Sequence, residues 1–124
     1  IVNVKLKYYK KDLALRQEVA SKYSEKLKDK DIILPFINPE ATSAFAQYSI
    51  RVQNRDEIQA KLKEQGIPTA VHYPMPLHLQ ECFSYLGYNK GDFPVSEKVS
   101  EEIMSLPMNP YLSDDEIGYI SRNF

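Results

Sequence analysis

At 124 residues, 43% of them hydrophobic, the chain has the size of one ordinary domain with a buried core. Sixteen Lys and Arg against seventeen Asp and Glu leave a formal net charge of −1, which lacks the basic surplus that nucleic-acid binding uses to neutralise phosphates. Cys82 is the sole cysteine, so no intrachain disulfide forms and a reducing, cytoplasmic setting is expected; no apolar run is long enough for a bilayer, and IVNVKLKYYKK has no signal-peptide core.

The chain opens without an initiator Met and directly in a helical pattern, the look of a piece of a longer protein. Over residues 6–27 the apolar positions Leu6, Tyr9, Leu13, Ala20, Tyr23 and Leu27 fall three, four or seven apart, one helical stripe facing a core. Lys5, Lys7, Lys10 and Lys11 read as the wet face of that helix. Residues 31–40 contain ILP and INP, which predict a short strand ended by its prolines. From 44 to 52 the chain alternates, with Ala44, Ala46, Tyr48, Ile50 and Val52 expected on the dry face of a strand.

A helix follows, its start marked by Asn54 with Glu57 at capping-box spacing and its end by Gly66 in the left-handed conformation. Residues 67–73 predict another strand, 79–86 a short helix, and GYNKGDF a turn. Val95, Val99 and Ile103 share one face of a helix over 94–104, and SLPMNPYL reads as extended. Ser113 and Glu116 form a second capping box, opening a last helix with Ile117, Ile120 and Phe124 on its face. Short strands between helices predict an α/β two-layer sandwich, a small and mainly antiparallel sheet with helices packed on it.

The stretch TAVHYPMPLHLQ, residues 69–80, is where chemistry concentrates. Tyr73 and Met75 each precede a proline and are pushed toward extended conformations, while Pro74 and Pro76 fix their own φ. Such a loop loses little further entropy on ordering and can hold an imidazole and a phenol in a set geometry for a polar ligand. The plainer reading makes Tyr73 a core residue and His72 a satisfied strand residue. His72, His78 and Cys82 lack the paired ligand motifs of a zinc site, and a Cys82–His78 nucleophilic pair is equally thin, since lone helical cysteines are mostly small core residues. The four glycines form no GxGxxG and no P-loop, and Asp114, Asp115 and Glu116 are accounted for by a helix N-terminus.

AFAQYSIRVQNRDEIQAKLKEQGIPTAVHYPMPLHLQ followed by GDFPVSEKVSEEIMSLPMNPYL resembles the C-terminal small domain of the DegT/DnrJ/EryC1/StrS sugar aminotransferases. The resemblance is helical only over a lead-in at residues 1–30 and is fullest over 43–112. It implies a fold-type I enzyme using pyridoxal phosphate, amino transfer to the ketone of a nucleotide-linked sugar such as a UDP-3-keto-N-acetylhexuronic acid, and a role in surface-polysaccharide precursors. It also implies a homodimeric parent and a large cofactor-binding domain, with residues 1–124 as the single small domain. On the matching motif His72 and Tyr73 become substrate contacts, His78 a third and Gln47 a fourth. No Schiff-base lysine motif is found here, so the resemblance assigns no catalytic and no cofactor-binding residue, and the piece by itself is expected to be inactive and cofactor-free. A stand-alone ferredoxin-like sensing or interaction module is the competing reading, with the HYPMP loop as its contact edge.

Overall fold

The computed structural model describes residues 2–124. Helices α1 (Val2–Leu6) and α2 (Tyr9–Leu27) lead into strand β1 (Tyr48–Arg51) and helix α3 (Arg55–Glu64). Two 3₁₀ segments, Leu77–Leu79 and Glu81–Leu86, precede helix α4 (Pro94–Glu102), strand β2 (Ile103–Leu106) and helix α5 (Asp114–Arg122).

β1 and β2 form an antiparallel ladder in which Tyr48 faces Leu106 and Ile50 faces Met104. Those four side chains are buried, and α2 and α5 supply the opposing layer through Val19, Tyr23 and Leu27 and through Ile117 and Ile120. This is the expected mixed architecture of helices on a small antiparallel sheet. The Tyr23 ring stacks on Tyr48 at 5.0 Å, and its hydroxyl donates to the Pro107 carbonyl at 2.9 Å. Tyr48 shares a 2.8 Å bond with the Ser24 hydroxyl. Burial pushes both phenols above their ordinary value, so both stay protonated.

The sheet is smaller than the sequence predicts. The segments expected as strands over 31–40 and 67–73 each make a single bridge, Ile33 to Arg51 and Ala70 to Ser105. Pro35 and Pro39 in the first, Pro68 in the second and Pro74 directly after it lack the N–H that a longer ladder needs. Alternation over 44–52 also overreaches: Tyr48, Ile50 and Val52 are buried, while Ala44 and Ala46 are exposed and Phe45 has φ +40°. Leu6 and Tyr9, expected in the core stripe, are exposed as well, and the stripe is fully buried only from Val19 onward.

Helix ends follow local chemistry, with one correction. Asn54 does not cap α3 with its side chain; it sits at φ +52°, outside the extended region from which a capping side chain reaches the first turn. At the other end Gly66 takes φ +72°, the Ile67 N–H donates to the Leu62 carbonyl at 2.9 Å, and the Gly66 N–H to Lys63 at 3.0 Å. This six-to-one closure also brings Leu62 and Ile67 into the same core cluster. The Ser113–Glu116 capping box at α5 is complete in both directions. Residues 94–104 divide into helix and strand at Ile103, and Val95 stays 76% exposed.

Candidate functional site

The loop beginning at His72 leaves the sheet immediately after the Ala70 bridge. Its approach is tied down by Gln59, whose amide donates to the Thr69 hydroxyl at 3.0 Å. The His72–Tyr73 peptide is cis. The chain bends at Pro74 and Met75, and Pro76 is extended as it enters the Leu77–Leu79 turn. His72 is exposed and Tyr73 is 75% exposed, so neither is the core or strand filler of the plainer reading. Their rings meet edge to face at 5.9 Å.

Gln47, one residue before β1, donates from Nε2 to His72 Nδ1 at 3.1 Å. While that bond holds, Nδ1 carries no proton, so the hydrogen of the ring sits on Nε2 and is free to be donated. Three of the four residues expected at the site are thus brought together: Gln47 orients His72, and Tyr73 lies beside it.

His72 and Tyr73 border a groove of about 400 Å³, with Gln47 supporting His72 from outside its lining. One wall is His72, Tyr73, Met75, Pro76, Leu77 and Gln80; the other comes from α4 and β2 through Ser96, Val99, Ser100 and Ile103. No lysine, arginine or carboxylate is among those lining residues. The groove offers an apolar floor, an imidazole, a phenol, an amide and two serine hydroxyls, a set suited to binding and orienting a ligand.

His78 does not line it. Its side chain is 8% exposed, and Nε2 donates to Glu97 Oε1 at 3.0 Å. Glu97 is itself 11% exposed and folds back over the start of α4. Its carboxylate accepts from the Gly91 N–H at 2.8 Å and the Phe93 N–H at 3.3 Å. These backbone donors, the Gly91 N–H foremost, and His78 hold the Glu97 carboxyl below its ordinary range. Sequence reading overlooked Glu97. The available signal was an acid in the first turn after GDFP, where unpaired N–H groups await an acceptor. Cys82, expected in a core, is exposed, with Sγ 3.9 Å from Gln80 Oε1. His72, His78 and Cys82 therefore turn to different partners, and among the described residues no three His, Cys, Asp or Glu gather as metal ligands.

Three carboxyls are depressed in the folded chain: Glu97 by backbone N–H donors, Asp114 by Lys22, and Glu116 by the Ser113 backbone and hydroxyl. An acid with a folded value below its unfolded one stabilises the fold above the unfolded value and loses that contribution as pH falls through the folded one. Stability is therefore expected to drop below about pH 4. Urea midpoints measured from pH 7 to pH 3 should show a shallower acid limb for Glu97→Gln than for the unsubstituted chain.

Residues 1–124 match the sequence model of the DegT/DnrJ/EryC1/StrS aminotransferase family. The chain is 44% identical over 116 residues to the UDP-2-acetamido-2-deoxy-3-oxo-D-glucuronate aminotransferase of Pseudomonas aeruginosa, covering 94% of this chain and 32% of that protein. It superposes with a TM-score of 0.90 on the crystal structure of a DegT DnrJ EryC1 StrS aminotransferase from Brucella abortus, at 38% identity over 99% of this chain and 33% of that one. The putative sugar aminotransferase Spr1654 from Streptococcus pneumoniae, in its PLP form, gives 0.85 at 28% identity, over 96% and 32% respectively. The chain thus spans about a third of the length of the relatives it matches.

Proposed function

Because the chain belongs to the DegT/DnrJ/EryC1/StrS aminotransferase family, we propose that it is the substrate-contacting C-terminal domain of a longer aminotransferase dependent on pyridoxal phosphate. The reaction is amination of a keto nucleotide-sugar, and the substrate we favour is a UDP-3-keto-N-acetylhexuronic acid, a precursor of surface polysaccharide. The likeness to the Pseudomonas enzyme, whose name gives a substrate of this class, supports that choice. The observation that carries the site is the exposed His72–Tyr73 pair at the groove, with the imidazole oriented by Gln47.

The residues present do not make a seat for the cofactor. Its aldehyde needs a lysine amine within a pocket, whereas no lysine lines the groove, and Lys22, Lys28 and Lys98 are paired with carboxylates on helix surfaces. We therefore assign cofactor binding and bond making to the remainder of the longer polypeptide, a homodimer in our reading. The work of this domain is recognition. His72 donates from Nε2 to an acceptor oxygen of the sugar nucleotide, Tyr73 donates its phenolic hydrogen, and the apolar floor excludes water around them. The exposed apolar side chains of α1, Val2, Val4 and Leu6, suit coverage by that remainder.

The test is kinetic and uses the product of the full reading frame. His72→Asn and Tyr73→Phe are each expected to raise KM for UDP-2-acetamido-2-deoxy-3-oxo-D-glucuronate roughly tenfold, the value of one hydrogen bond. Unchanged KM and kcat in both variants would remove the site. A start codon immediately before Ile1 would remove the enzyme and favour the stand-alone module.

A further inference from the structure

The groove has two walls that are remote in sequence, residues 72–80 on one side and residues 96–103 on the other. Among the described residues, the His78–Glu97 bond is the one side-chain hydrogen bond that joins segment 72–80 to α4. It sits behind the walls rather than on them, and its neighbours in sequence, Leu77 and Ser96, are lining residues. We infer that His78 and Glu97 are positioning residues, a buried brace that sets the spacing of the two walls and so the affinity for the sugar nucleotide. This rests on the reading of the groove as the substrate site.

Several features make the brace stiff. Both side chains are about nine-tenths covered, so a broken bond would leave the buried His78 donor unsatisfied. Glu97 is held from a second direction, since Oε1 and Oε2 both accept from the Gly91 N–H, at 2.8 and 3.0 Å. The His78 ring packs against Phe93 at 4.8 Å, and Phe93 against Tyr88 at 5.0 Å. A carboxylate tied to the Gly91 turn and to the start of α4 thus holds the imidazole, and the imidazole holds the Leu77–Leu79 turn. His78 touches no part of the groove, so its effect on a ligand passes through Leu77 and the residues before it.

His78→Phe in the full-length enzyme keeps a ring against Phe93 and removes the donor. We expect KM for UDP-2-acetamido-2-deoxy-3-oxo-D-glucuronate to rise about tenfold or more, the effect of sub-ångström misplacement, while kcat falls much less. His78→Gln places an amide N–H where Nε2 was and should return KM toward the unsubstituted value. A role in stability alone would lower Tm and the yield of active enzyme without this split between KM and kcat. An unchanged KM in His78→Phe, or no recovery in His78→Gln, overturns the brace. Where His78→Phe does not fold, His78→Asn decides: its shorter amide reaches only the Nδ1 position and cannot bond Glu97, so a raised KM supports the brace and an unchanged KM overturns it. His72→Asn run alongside separates the two ideas. If it raises KM while the brace variants do not, only the brace falls. If it also leaves KM unchanged, the groove is not the substrate site and the brace falls with it.

Discussion

Tyr48→Ala is expected to cost about 3–5 kcal/mol of folding free energy, the range for removing a fully buried aromatic ring. Tyr48 has no exposed surface, stacks on Tyr23 at 5.0 Å and lies 6.1 Å from Phe45, so two aromatic rings lose their common neighbour. Its hydroxyl also leaves Ser24 without its 2.8 Å partner. Tyr48→Phe separates the two contributions. It keeps the ring and should cost only about 0.5–1.5 kcal/mol, the net value of one hydrogen bond. Urea unfolding with the slope held common measures both differences. A loss below about 1 kcal/mol for alanine would mean that the ring is not a core element. Because Gln47 immediately precedes Tyr48, the alanine variant should also loosen the support of His72, which the exchange rate of the Tyr48 amide would report.

Leu62→Ala is the second large effect, about 2–5 kcal/mol for an aliphatic side chain deleted from a closed core. Leu62 is fully buried, and its carbonyl accepts from the Ile67 N–H at 2.9 Å. The side chain and the backbone of one residue thus end α3 and aim the following segment toward Ala70 and His72. Truncating the side chain opens the core cluster that Leu62 and Ile67 share across the closure. We expect the Ile67 amide to exchange faster in the variant by more than the global loss of stability requires. Exchange at Ile67 that merely follows global unfolding would show the closure to be independent of the packing.

Much of this fold is legible in the amino acids because local chemistry and tertiary need agree. The repeat of Tyr23 and Leu27, the Gly66 stop and the Ser113–Glu116 box each describe an end or a face that the structure realises. Gly87 and Gly91, expected in a turn, have φ values of +74° and +101°. Disagreements arise where an element is decided by a distant neighbour. Ala44 and Ala46 continue the alternation of β1, yet β2 offers partners only from Leu106 to Ile103. Val95 keeps helical spacing with Val99, but only Val99 meets the groove. At the site, the rigidity and exposure of the HYPMP loop follow from its prolines, and so does the prominence of His72 and Tyr73. Spacing alone could not assign a partner to His78, because Glu97 lies nineteen positions away and approaches only once the Gly91 turn has folded.

The two single bridges that flank the ladder have a consequence for behaviour at high concentration. A sheet margin with several consecutive free N–H and C=O groups is a template on which further chains add, and that growth ends in fibres. Here the outer segments pair through Ile33 and Ala70 alone and then turn away, each with a proline within two residues. An incoming extended chain would find no run of docking positions on either side, so the four-residue ladder is shielded from the intermolecular polymerisation that an uninterrupted border would invite.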